Sequence, residues 1–86
     1  MTRGSVIEGE QLFIKHLQGP CQLSASEFAA KHTQEEWEAI VQAGEFEAEV
    51  FRICPIIKEH YRMEWSPSLY QFAYTYAYDT GDLPIR

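Results

Sequence analysis

Helix-start signals constrain this chain more than any other feature, because they divide it into short helices. Thr33 followed by Glu36, and Ser24 followed by Glu27, have the spacing of a capping box. In that arrangement the two side chains bond each other's backbone amides and define the first turn of a helix. Helices bounded this closely cannot form a long bundle. The sequence therefore predicts an all-α fold, a compact domain of four to five short helices.

Apolar residues recur three or four positions apart and give the bounds of the predicted helices. The first helix is expected to end at Gly19-Pro20, since a proline disfavours helical conformation in the residue before it. The last is expected to begin with Ser66 as its N-cap and Pro67 as its first residue. The predicted helices cover 6–18, 25–31, a segment from the Thr33 cap to Gly44, 46–53 and 67–78, and 56–65 is partly helical. We predict a single domain over residues 1–86, with flexible tails at 1–5 and 82–86.

The composition excludes several classes of protein. Hydrophobic residues make up 45% of the chain and aromatic residues 14%, which is too apolar for an intrinsically disordered chain. No apolar run approaches the roughly 20 residues that a membrane-spanning helix needs. The net charge of −6 repels a phosphate backbone, so no nucleic-acid partner is predicted.

A run of acidic residues occupies the middle of the chain. We interpret it as a solvated face, with a site for a cation or a basic partner as the alternative. Its members are Glu35, Glu36, Glu38, Glu45, Glu47 and Glu49. Carboxylates near a helix start also interact favourably with the helix dipole.

The two cysteines, Cys21 and Cys54, lack the close spacing of a zinc or thioredoxin-type motif. Both lie at the ends of predicted elements beside a proline, and a disulfide between them would stabilise so small a core. The alternative is a pair of unbonded thiols in a reducing compartment. No apolar signal segment is visible in the first nine residues.

The order of elements resembles that of class I cytochrome c. Gly9, Leu12 and Phe13 open the first helix as Gly-x-x-Leu-Phe, a Gly-Pro-Cys break follows, and the last helix is rich in leucine and tyrosine. The stretch FAAKHTQEEWE (28–38) and the pattern YxFAYxYAxDxG (70–81) resemble small cytochrome-c-related proteins of the Campylobacter and Helicobacter group. The resemblance spans roughly residues 9–84. It implies that the first and last helices cross, with Gly9 and Phe13 contacting the last helix near residues 70–74.

The haem-attachment motif of that family, Cys-x-x-Cys-His, is not intact in this chain. If its first cysteine is aligned with Gln18, the second falls on Cys21 and the histidine on Gln22. If Cys21 is taken as the first cysteine, Ser24 and Ala25 occupy the other two positions. Covalent attachment needs both thiols and the adjacent imidazole. The resemblance therefore implies a haem-less fold, with no cofactor.

An atypical haem site is the alternative hypothesis. Haem could be held through Cys21, or non-covalently by His60 and Met63, which are three residues apart and would share a helix face. This protein would then transfer electrons. The simpler interpretation makes His16 a partly buried helix residue, His32 a charge partner near a helix end, and His60 a solvated group. No metal site and no catalytic residue is predicted, because no motif for either occurs.

The last predicted helix carries two stripes of apolar and aromatic residues. One stripe, expected to face the core, consists of Leu69, Phe72, Ala73 and Tyr76. The other consists of Tyr70, Tyr74 and Tyr78, four residues apart. These tyrosines are either buried as well or form an aromatic patch that docks a partner protein or a second copy of the chain, since tyrosine is enriched at interfaces.

The leading hypothesis is a small, soluble, non-enzymatic binding or interaction protein with a haem-less cytochrome c-like fold. Electron transfer with an atypically held haem is the alternative. A redox module working through Cys21 and Cys54 is a third hypothesis. The resemblance and the expected disulfide favour a periplasmic location over a cytoplasmic one.

Overall fold

Five helices form the domain in the computed structural model, which describes residues 5–80. The first consists of α1 (Val6–Leu12), a π-helical turn (Phe13–Leu17) and α2 (Gln18–Cys21), which follow one another without a break. The others are α3 (Ala25–Ala29), α4 (Gln34–Gln42), α5 (Phe46–Ile53) and α6 (Ser66–Thr75). Two 3₁₀ turns, Pro55–Glu59 and Met63–Trp65, connect α5 to α6. No strand occurs in residues 5–80, and the predicted all-α fold of four to five helices is confirmed.

The first helix does not end at Gly19-Pro20, so the prediction of its end is wrong. Helical conformation continues through Pro20 to Cys21 and stops at Gln22, whose φ of 56° is left-handed. The π-helical turn directly before α2 gives the physical reason. A proline ring in an α-helix clashes with the carbonyl four residues earlier, and a wider turn relieves that crowding.

The helix-start signals of α3 and α4 are confirmed. The Thr33 hydroxyl accepts from the Glu36 N–H at 3.2 Å, and the Glu36 carboxylate accepts from the Thr33 N–H at 3.1 Å. Ser24 and Glu27 make the same reciprocal pair. Ser5, predicted to lie in a tail, instead caps α1 by accepting from the Glu8 N–H at 3.3 Å. The rest of the predicted tails, 1–4 and 82–86, lies outside the described residues.

The last helix starts and ends differently from the prediction. Ser66 is not an N-cap, because the 3₁₀ turn before it runs directly into the helix and its own backbone is helical. The helix ends at Thr75, so Tyr78 lies beyond it. The backbone N–H of Tyr78 donates to the His32 carbonyl at 2.9 Å, which ties this turn to the region before α4. A tertiary hydrogen bond therefore replaces the helical continuation that the tyrosine spacing predicted.

The helices α1 and α6 cross in close contact at Gly9. A Cβ atom added to Gly9 would lie 2.0 Å from the Ser68 carbonyl oxygen and 2.9 Å from the Phe72 Cβ. Glycine is therefore required here by the approach of two backbones. This crossing lies at 68–72, close to the 70–74 region that the resemblance implied.

The core lies between this crossing and the shorter helices. Its largest fully buried side chains are Trp37, Phe13, Phe28, Phe72, Leu17, Ile57, Leu69 and Val50. The indole N–H of Trp37 donates to the Ala29 carbonyl at 2.9 Å, so the one polar atom of this ring is satisfied.

Cys21 and Cys54 form the predicted pair. Their sulfur atoms are 2.07 Å apart, the distance of a disulfide bond, and their Cα atoms are 5.4 Å apart. The bond joins the end of the first helix to the residue that follows α5. It closes a loop over a sequence separation of 33 residues at the edge of the single core cluster.

Candidate functional site

An open groove of about 390 Å³ lies between the α4–α5 turn and the first residues of α6. Gly44, with a φ of 72°, ends α4 as predicted and lets the chain reverse into α5. The surface of the groove is mainly apolar. Its apolar lining residues are Val41, Phe46, Pro67 and Tyr70, and its polar ones are Glu47, Ser66 and Gln71.

A chain of three hydrogen-bonded side chains leads from the interior to this groove. The Ser66 hydroxyl donates to Glu47 Oε2 at 2.6 Å, and the Tyr61 hydroxyl lies 2.7 Å from Ser66 Oγ. A hydroxyl has one proton, so with Ser66 donating to Glu47, Tyr61 must donate to Ser66. Burial raises the pKa of the Tyr61 phenol to about 12, and the nearby Glu47 charge contributes to the rise. The Tyr61 proton is therefore retained at neutral pH. The hydrogen bonds from Tyr61 to Ser66 and from Ser66 to Glu47 hold the Glu47 carboxylate in one orientation.

Glu47 differs from Glu49, its neighbour in the acidic run, in its charge environment. Glu49, two residues later, accepts from Arg52 Nε at 2.9 Å, and His32 Nε2 lies 2.7 Å from its Oε2. The hydrogen bond from Arg52, with a further one from His32, lowers the pKa of Glu49. Within residues 5–80, Glu47 has no such cation at ion-pair distance. It is a half-buried carboxylate beside an apolar surface.

The three tyrosines of the predicted patch are not on one helical stripe. Tyr70 lines the groove and packs edge-on against Phe46. The rings of Tyr70 and Tyr74 are 5.8 Å apart, and both side chains are half-buried. Tyr78 lies beyond α6 and is 73% exposed. The structure therefore brings Tyr70 and Tyr74 together and places Tyr78 in the following turn.

The structure removes two premises of the haem hypothesis, a free thiol at Cys21 and a helix shared by His60 and Met63. The sulfur of Cys21 is bonded to Cys54, so it offers no thiol for addition to a vinyl group. His60 follows the first 3₁₀ turn and Met63 begins the second, with extended backbone at Arg62 between them. The two side chains therefore do not share a helix face, and this part of the sequence interpretation is wrong. No group of three or more potential metal ligands occurs in the described part of the chain.

The histidines have the local roles that the simpler interpretation gave them. His16 is half-buried and stacks on Trp65, with ring centroids 4.5 Å apart. His32 joins α4 to α5, because its Nδ1 lies 3.3 Å from Glu36 Oε1 and its Nε2 bonds Glu49. His60 is exposed.

Sequence patterns missed the pairing of Glu47 with Ser66. Glu47 was one of six equivalent acidic residues, and Ser66 was assigned to a helix cap. The signal that distinguishes them is long-range: the two residues are 19 positions apart and meet only when α5 packs near α6. No spacing rule within a single element detects such a pair.

No protein-family model, curated protein or solved structure matches this chain. In the region that the structure describes, no helix combines the length and apolar character needed to cross a membrane.

Proposed function

We propose that this chain is a small non-enzymatic binding module that holds a short apolar segment of a partner protein in the groove between α4, α5 and α6. The observation that carries the proposal is the groove itself. Its volume of about 390 Å³ falls in the roughly 300–1,000 Å³ range of ligand pockets. A mainly apolar lining with a few polar groups is the usual composition of such sites.

The haem-less cytochrome c-like fold is part of the same proposal. The close approach of α1 and α6 at Gly9 supports it, because the resemblance implies a crossing of the first and last helices. The bond between Cys21 and Cys54 argues against thioether attachment of haem. The same bond supports an oxidising compartment, in which disulfides persist.

Tyr70 and Tyr78 provide a matched pair of variants that tests the site. We would titrate ¹⁵N-labelled protein with a blocked pentapeptide, Gly-Phe-Gln-Phe-Gly, and follow the backbone amide shifts by NMR. The proposal expects saturable shifts that cluster around Val41, Glu47 and Gln71. Tyr70→Ala removes part of the groove wall, and the loss of an interface tyrosine weakens binding by about fivefold or more. Tyr78→Ala removes an exposed tyrosine outside the groove and leaves the affinity unchanged.

Both variants are checked for native helix content before the titration, because Tyr70 also packs on Phe46. Shifts that are scattered over the surface, or an equal effect of the two substitutions, would contradict the proposed site.

A further inference from the structure

We infer that the groove selects a segment in which a lysine or arginine adjoins the apolar side chain, with the cation bound by the Glu47 carboxylate. This inference rests on the proposed function and names the chemistry of the partner. An apolar groove alone accepts any apolar segment of suitable size. The Glu47 carboxylate in the lining of this groove adds a requirement for a positive charge.

The hydrogen-bond chain from Tyr61 through Ser66 occupies one oxygen of that carboxylate. The Ser66 hydroxyl donates to Glu47 Oε2 at 2.6 Å. Within residues 5–80, no hydrogen bond reaches Oε1. A carboxylate has two oxygens and about four acceptor positions, so Glu47 retains capacity for a donor from outside. These hydrogen bonds also limit the rotation of the Glu47 side chain, which reduces the entropy lost when a ligand binds.

The charges of the domain indicate that the missing donor is a cation. Three other carboxylates already have basic partners in the described residues: Glu49 has Arg52, Glu36 has His32 at 3.3 Å, and Glu64 has Arg62 at 3.2 Å. None of the residues that line the groove is a lysine or an arginine. The net charge of the whole chain is −6, so the surrounding field also attracts cations.

Tyr70 provides a second feature that favours a positive group. Burial raises the pKa of its phenol, and the nearby charge of Glu38 raises it further, so Glu38 also contributes negative potential at this wall. The face of a tyrosine ring attracts an ammonium or guanidinium group within about 6 Å. A cation on Glu47 would therefore lie beside an aromatic wall that is itself attractive to it.

The test compares two peptides that differ in one group. The first is the neutral pentapeptide Gly-Phe-Gln-Phe-Gly, and the second has lysine in place of its glutamine. Each is titrated by NMR against the parent protein and against Glu47→Gln, which keeps an oxygen that can accept from Ser66. Glu35→Gln is the matched control: it removes the same charge from an exposed position near the other end of α4, about 9 Å along the helix from Val41.

We expect the lysine peptide to bind the parent about tenfold more tightly than the neutral peptide, the effect of one charge-assisted hydrogen bond. This preference is lost in Glu47→Gln, kept in Glu35→Gln, and reduced in 0.5 M NaCl, where charges are screened. Equal affinity of the two peptides for the parent would overturn the inference and leave the proposed function standing. A preference that survives Glu47→Gln would also overturn it, since the general field of the protein would then be the cause. If neither peptide binds, the proposed function fails together with the inference.

Discussion

Replacing Gly9 with alanine tests the crossing on which the whole arrangement of α1 and α6 depends. The added Cβ would lie 2.0 Å from the carbonyl oxygen and 2.7 Å from the carbonyl carbon of Ser68. Ordinary contacts of a Cβ atom begin at 3.4 Å, so the two backbones would have to separate by roughly 1.4 Å at this point. Both neighbouring atoms belong to a helix backbone, so no side-chain rotation removes the clash.

The expected loss of stability follows from two opposed effects. Alanine in a helix interior is intrinsically more favourable than glycine by about 1 kcal/mol. Overpacking a well-filled contact typically costs about 1–3 kcal/mol and occasionally more. The separation needed here is large and involves the main helix pair, so we expect a net loss of about 2–4 kcal/mol. That is a large part of the 5–15 kcal/mol that stabilises most domains.

Urea denaturation followed by tryptophan fluorescence measures this change, because Trp37 and Trp65 are both buried. Gly19→Ala is the control: an added Cβ at Gly19 meets no atom within 4 Å, so the midpoint is expected to stay the same or rise. If Gly9→Ala is more stable than the parent protein by about 1 kcal/mol, the helix propensity of alanine is the only effect acting. The close crossing of α1 and α6 would then be refuted.

Three further predictions concern the disulfide and two titrating groups. Replacing both Cys21 and Cys54 with serine is expected to lower the free energy of unfolding by about 4 kcal/mol, the chain-entropy value for the loop that the bond closes. Equal urea midpoints for the parent and the double variant would contradict this expectation. The pKa of Glu49 is lowered by its hydrogen bond from Arg52 and by His32, so its contribution to stability is present above the ordinary value of 4.5 and is lost as the pH falls below it. Glu49→Gln should therefore have a lower urea midpoint than the parent at pH 7, and the difference should be smaller at pH 3. Glu35→Gln, measured in the same way, is the control. Burial raises the pKa of Tyr61 to about 12, so the stability that this phenol contributes is complete below pH 10 and is lost as the pH rises through 12. Absorbance at 295 nm should show a phenol ionisation at about pH 12 that Tyr61→Phe removes.

Local signals predicted the middle of the fold well. The capping boxes at Ser24 and Thr33 and the left-handed turn at Gly44 depend on residues three or four positions apart, and all three are present. Signals that depend on tertiary context failed. Pro20 is tolerated within a helix because a π-helical turn precedes it, and no residue pattern in the sequence predicted that turn.

The same distinction explains why the groove was not predicted although most of its residues had been noticed. Tyr70 was assigned to a surface patch, Glu47 to a solvated acidic face and Ser66 to a helix cap. Each assignment followed the rules of a single helix. The hydrogen bond between Ser66 and Glu47 instead depends on the packing of α5 near α6, and it fixes the orientation of the Glu47 carboxylate without pairing it with a cation. A run of acidic residues in a sequence therefore predicts a negative electrostatic potential. The tertiary partners of each carboxylate determine which of them can bind a ligand.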